Sequence, residues 1–250
     1  MSYIWEACSE RAAPVTLGGP VFRLVESQEQ VATNSLVRTL AEQALLEDLI
    51  EASKPRLQGP AIGLHYLLAT PFRYPPLPWG SRFGTRFEPS LFYASRTIAT
   101  VLVESAYYRF VFWTGMAAAP PAPLVTRHTL FSVAIGTGRG LRLQQAPFDE
   151  HAAALRDRRH YGATQALGTA LRDAGIEAFE YCSARDPRQG LNVALFTPAA
   201  LGSAKPDILD EWICQTTDER VSYYSRPGGG VCEFPLETFQ VDGTLPLPAA

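Results

Sequence analysis

Between residues 55 and 80 the chain sets Pro55, Pro60, Pro71, Pro75, Pro76 and Pro78 among Phe72, Tyr74 and Trp79. Proline fixes φ and removes a backbone donor, so this stretch is expected to hold neither a regular helix nor a central strand. It is too apolar for a solvated linker and is expected to pack as an ordered loop. Regular structure must then come from the chain on either side.

Upstream, residues 1–20 read as irregular and end in Gly18-Gly19-Pro20, a break before a short strand at Val21–Val25. Ser27 is a candidate N-cap, with Gln30 three residues on as in a capping box. Leu36, Leu40, Ala44, Leu45 and Leu49 then recur at helical spacing up to Lys54-Pro55, where proline ends the helix. Downstream, a strand is expected at Leu91–Tyr93, a helix over about 96–113, a strand at Thr129–Ile135, and helices at Ala152–Arg158 and Tyr161–Asp173. Strands follow at Ala178–Tyr181 and Leu191–Phe196. Val221–Ser225 and Val231–Phe234, separated by Arg226-Pro227-Gly228-Gly229-Gly230, read as a hairpin. Strands and helices do not alternate strictly, so the class is α+β rather than parallel α/β.

A chain of 250 residues makes one large domain or two small ones. Its net charge of −3 argues against a non-specific nucleic-acid binder. Lys54 and Lys205 are the only lysines among 22 basic residues, a skew that reads as genomic composition before it reads as phosphate binding. Cys8, Cys182, Cys214 and Cys232 form no CxxC pair, and His65, His128, His151 and His160 are scattered, so no metal site is expected. With no signal-peptide pattern and no apolar run near the ~20 residues a membrane span needs, the chain reads as cytoplasmic with reduced thiols.

Arg82, Tyr93 and Glu104 follow one another at intervals of eleven. Arg82 lies beside glycines before a turn, Tyr93 ends a strand, and Glu104 falls inside the next helix. Arginine offers a fork of donors to a phosphate, tyrosine an aromatic face, and glutamate a charge for a developing glycosyl cation. By residue type alone the trio is a weak signal, since an Arg–Glu pair near a tyrosine is more often a structural ion pair. Gly136-Thr137-Gly138-Arg139-Gly140 lacks the ending of a phosphate-binding loop and reads as a tight turn. Glu177 and Glu180 read as solvated or sheet-edge carboxylates, and Asp149–Arg159 as a solvated helix face.

Ser81-Arg82-Phe83-Gly84, Leu91-Phe92-Tyr93-Ala94-Ser95, the Glu104 helix, Tyr181-Cys182-Ser183-Ala184-Arg185-Asp186-Pro187 and Asn192-Val193-Ala194-Leu195-Phe196 together resemble the RES domain. That family is named for its arginine, glutamate and serine. The similarity runs from about Phe22 to about Phe196 and takes in Leu64–Pro76. The resemblance implies a single domain similar to ADP-ribosyltransferase toxins, with a central split, mostly antiparallel sheet and flanking helices. It places the domain at 21–240, between an N-terminal extension (1–20) and a tail (241–250).

The resemblance also implies a bacterial toxin that takes NAD as substrate, without a metal. It would break the nicotinamide–ribose bond and pass ADP-ribose to a protein acceptor, or to phosphate or water. A non-catalytic NAD- or nucleotide-binding module acting through a partner is the remaining alternative. Arg82, Glu104 and Ser183 carry over as catalytic positions, and Arg23, Arg82, Tyr93 and Ser183 as NAD-binding ones. Ser183 is expected to bond the nicotinamide riboside end. The segment from Arg82 to Tyr93 is a residue longer than in many short members, so Arg86 competes with Arg82 as the motif arginine. The implied partner is a cognate Xre-like DNA-binding antitoxin that covers the site, with a homodimer inside the complex. Neither direct nucleic-acid binding nor a membrane is implied.

Overall fold

Alternating Phe131, Val133 and Ile135 bury one face of a long strand, β3 (Leu124–Arg142), around which the sheet is built. The computed structural model describes residues 2–27, 36–57 and 59–248. The sheet runs β1-β2-β5-β4-β3-β6-β7-β8. Its other strands are β1 (Val15–Glu26), β2 (Phe92–Ser95), β4 (Ala178–Cys182), β5 (Leu191–Leu195), β6 (Asp207–Thr216), β7 (Arg220–Ser225) and β8 (Gly230–Pro235). Among the described strands only β3–β4 is parallel. β1 also pairs β3 from Val15↔Gly140 to Glu26↔His128, so the order 1-2-5-4-3 returns to its start. The α+β, mostly antiparallel single domain is as expected.

Helices cover the sheet. α1 (Tyr3–Cys8) and α6 (Gly162–Asp173) close one core around Phe83, Phe179 and Tyr181; α3 (Tyr66–Arg73) closes a second over Phe92, Val193 and Leu195. α4 (Ile98–Thr114), capped by Thr97, packs Leu102, Ala106 and Phe110 against Leu130, Trp212 and Tyr223. Each large apolar side chain so buried contributes about 1.5–3 kcal/mol. α4 is apolar on nearly every side, as a core helix is. Glu104 is a carboxylate set into it, and that alone singles the residue out.

Several expectations change. Gly18-Gly19-Pro20 is not a break: β1 passes straight through it. Arg96 Nη1 donates to the carbonyls of Gly18 and Pro20 at 2.9 and 3.2 Å. A strand residue's N–H and C=O point the same way, so the donor Pro20 lacks faces Arg96 and not the β3 ladder. Gly136–Gly140 likewise stays inside β3, where Gly140 leaves room for Leu17. Ser27 does not cap the second helix. Thr39 does, in a capping box with Glu42, and α2 spans Leu40–Ser53 up to Lys54, as expected. Gln30 and the first part of the expected helix lie outside the described residues. Leu40, Leu45 and Leu49 of α2 are exposed.

The proline segment does hold a helix, the two turns of α3, which contain Pro71. Leu67, Leu68 and Ala69 bury there, and so short a helix forgoes only the one bond Pro71 cannot donate. The expected helix at Ala152–Arg158 stops at Leu155, as α5 (Ala152–Leu155). β6 lies outside the strands expected from the sequence, although Trp212, Cys214 and Thr216 alternate as its buried face. All four cysteines are free thiols. Among the described residues no helix is long and apolar enough to cross a membrane, and no cluster of side chains could hold a metal.

Candidate active site

The loop from Gly80 to Ser90 is pinned before it is functional. Gly80 takes φ +73°, where a Cβ would meet the Gly84 carbonyl, and Ser81 N donates to that carbonyl at 2.8 Å. Phe83 then inserts edge-on against Phe179 and Tyr181, with ring centroids 4.8 and 4.7 Å away. Gly168 of α6 lies directly under its carbonyl.

With Phe83 held in the core, Arg82 is fixed on the wall of a cavity. Its Nη1 donates to Asp157 O at 2.8 Å, and the guanidinium lies 4.5 Å over the Tyr161 ring. Only 9% of Arg82 is exposed, and Nη2 is buried with no partner. Arg86 is exposed against Phe87 at 5.2 Å and does not line the cavity. Of the two candidate arginines, the fold brings Arg82 to the cavity.

Tyr93, on β2, sends its hydroxyl to Ser81 Oγ at 2.8 Å and accepts the Phe83 N–H at 3.1 Å. Burial pushes the phenol up to about 12, so it stays protonated while its ring lines the cavity. Arg23 of β1 donates to Tyr93 O at 2.9 Å and sits 5.0 Å over Phe92. Burial pulls it down to about 10, which leaves it charged at neutral pH.

Glu104 reaches the cavity from α4. Its Oε1 accepts Ser183 Oγ and Asn192 Nδ2, both at 2.6 Å. Among the described residues no donor meets Oε2. Ser183 stands behind the carboxylate and not on the cavity wall; its Oγ accepts the N–H groups of Arg185 and Asp186 at 3.0 and 2.9 Å. Asn192 Oδ1 in turn accepts Ser95 Oγ at 2.6 Å.

The cavity holds about 530 Å³, inside the range of cofactor-sized pockets. Tyr74, Trp79, Tyr108, Tyr161 and Tyr181 give it an aromatic lining. Its walls also include Phe22–Leu24 of β1 and Pro248 of the tail. That tail is tied down by Tyr107 OH donating to Pro246 O at 2.7 Å and by Arg159 Nη2 donating to Val241 O at 2.8 Å. Among the described lining residues Glu104 is the one carboxylate, and Arg23 and Arg82 are the two arginines.

Arg23, Arg82, Tyr93 and Glu104 thus meet at one cavity, and Ser183 supports it from behind. Asn192, Ser95, Ser81 and Tyr161 complete it without having been singled out. The available signal was polarity at buried strand positions, as at Ser95 and Asn192. Elsewhere, Glu180 is not a solvated carboxylate. It is buried and accepts Arg96 Nε at 2.6 Å and Arg142 Nε at 3.2 Å. Glu177 is half-buried and accepts Thr137 Oγ1 at 2.5 Å. Nor is 149–159 a solvated helix face: Asp157 O receives Arg82, and Arg158 bonds the carbonyls of Ala184 and Gln240 at 2.9 and 3.4 Å. His65 is the N-cap of α3.

No curated protein matches the chain at a significant level. The protein-family model described as the RES domain matches residues 56–217, a span that takes in Arg82, Tyr93, Glu104 and Ser183, and the chain belongs to the RES-domain family.

Proposed function

We propose that the protein breaks the nicotinamide–ribose bond of NAD and transfers ADP-ribose to a nucleophile on a protein acceptor. RES domains act on NAD and are associated with toxin–antitoxin systems. The observation that carries the reading is the lone carboxylate of the cavity. A glycosidase working on an ordinary sugar needs two, because the leaving oxygen must be protonated. Nicotinamide leaves NAD as a neutral base from an already cationic nitrogen, so it needs neither an acid nor a metal.

In this reading Glu104 Oε2 faces the ribose and stabilises positive charge at its anomeric carbon. A fixed charge in a partly enclosed, largely apolar site is worth more there than in water. The C–N bond breaks with its electron pair going to nicotinamide. The acceptor's nucleophile bonds to the anomeric carbon and gives its proton to solvent. Arg82 and Arg23, both on the cavity wall, take the pyrophosphate. Tyr93 orients the nicotinamide ring, and Ser183 acts through Glu104.

Exposed Tyr74, Leu77, Trp79 and Tyr108 rim the mouth and favour a macromolecule as acceptor. The same rim suits the cognate Xre-like antitoxin, which in this proposal covers the cavity in an assembly containing two copies of the enzyme.

The test is to incubate the purified protein with NAD, with and without phosphate and cell lysate. Nicotinamide release is followed and the products are weighed by mass spectrometry. A protein carrying ADP-ribose supports the proposal. Free ADP-ribose or its phosphate ester without modified protein would replace transfer by hydrolysis or phosphorolysis. No nicotinamide under any condition, with folded protein, leaves only a binding module. Glu104→Gln should slow release by ~10²–10³-fold with an unchanged melting temperature.

A further inference from the structure

Two donors reach the same oxygen of Glu104, and each is aimed by a different part of the fold. Ser183 Oγ accepts two backbone N–H groups, which turns its one proton toward Oε1. Asn192 is 3% exposed and sits directly opposite Ser95 in the β2–β5 ladder. The carboxylate only accepts, so Nδ2 must face it, and Ser95 Oγ holds the amide in that sense by donating to Oδ1 on the other side. Were the amide reversed, a carbonyl oxygen would oppose the carboxylate, and Oε1 would keep a single donor.

We propose that Asn192, oriented by Ser95, is a positioning residue for cleavage of the nicotinamide–ribose bond, clamping Oε1 of Glu104 together with Ser183 so that Oε2 is presented to the ribose. The proposal rests on the NAD-cleaving reading of the site. A glutamate on a helix has several rotamers of similar energy, and only some of them point Oε2 into the cavity. Two short, charge-assisted bonds at one oxygen select among them before substrate arrives. Such a clamp acts on the geometry of the reacting complex, so its loss falls on kcat and leaves NAD binding by the arginines nearly intact.

Steady-state kinetics of nicotinamide release test this in Asn192→Ala, Ser95→Ala and Ser95→Thr. The expected result is a fall in kcat of about 100-fold for Asn192→Ala and about 10-fold for Ser95→Ala, with KM for NAD within about 2-fold of wild type. Ser95→Thr keeps the hydroxyl and should recover most of the rate. If Asn192→Ala does not fold, the two Ser95 variants carry the comparison. Without substrate, the side-chain amide of Asn192 in nitrogen-15 NMR spectra should shift in both Ser95→Ala and Glu104→Gln. Equal kcat in wild type and Ser95→Ala, or amide resonances indifferent to both substitutions, overturns the clamp. Wild-type protein that releases no nicotinamide overturns the reading of the site and this role with it. That outcome differs from failure of the clamp alone, where wild type and variants turn over alike.

Discussion

Acidification should weaken the fold through His128, by an amount that follows from its surroundings. The imidazole is 3% exposed on β3. Its Nε2 pairs with Thr126 Oγ1 at 2.9 Å, its Nδ1 has no partner, and its ring meets Tyr223 edge-on at 5.8 Å. Nearby Arg109 is itself buried and paired with Glu26 at 3.0 Å. Burial first, and the Arg109 charge second, lower the His128 pKa from 6.5 to about 4. The unfolded chain therefore takes up a proton near pH 6.5 that the folded chain refuses until about pH 4. The stability tied to neutral His128 is whole above pH 6.5 and is lost as the pH falls through that window.

Integrated, the loss is about 2 kcal/mol between pH 7.5 and 5 and about 3 kcal/mol by pH 4. That is a large share of the ~5–15 kcal/mol that holds a domain together. Carboxylates with lowered pKa, among them Asp157 and Glu88, also cost stability on acidification, so the informative quantity is a difference. Urea unfolding of wild type and His128→Gln, followed by circular dichroism from pH 7.5 to 4.5, isolates it. The variant should lose about 2 kcal/mol less than wild type between pH 7.5 and 5. Parallel curves for the two proteins would refute the reasoning.

Two further substitutions test the frame of the cavity. Tyr93→Phe removes the hydroxyl shared by Ser81 and the Phe83 N–H; it should cost about 1–3 kcal/mol in urea unfolding and raise KM for NAD as the loop bearing Arg82 loosens. Gly168→Ala sets a methyl against the Phe83 carbonyl. The loop must shift off α6, for about 1–3 kcal/mol and a melting temperature several degrees lower by calorimetry.

What could be read in the sequence was whatever is decided locally or carried by a motif. The strands at Ala178 and Leu191, the glycine hairpin near the end and the helix bearing Glu104 follow from alternation, turn residues and apolar density. Misreadings arose where a distant group settles a local question. Gly18-Gly19-Pro20 reads as a break until Arg96, remote in the chain, occupies the side that proline leaves empty. Thr39 and Glu42 made a local capping signal equal to that of Ser27, and nothing in composition ranks the two. Arg82 and Arg86 share similar surroundings in sequence, and burial beside Tyr161 separates them. The contacts that Ser183 and Asn192 make to Glu104 span 79 and 88 residues, beyond the reach of periodicity or spacing.

The cavity draws its walls from both ends of the chain, and this gives its construction an order in time. Arg23 is synthesised early and Glu104 next, whereas Pro248 follows only after the β6–β8 sheet and the anchor at Val241. At ~5–20 residues per second, translation from Glu104 to Pro248 occupies roughly 7–30 s. For the first part of that interval the nascent chain also lacks Tyr161, Tyr181 and Asn192, and to its end it lacks Pro248. The cavity is therefore among the last features of the fold to be completed.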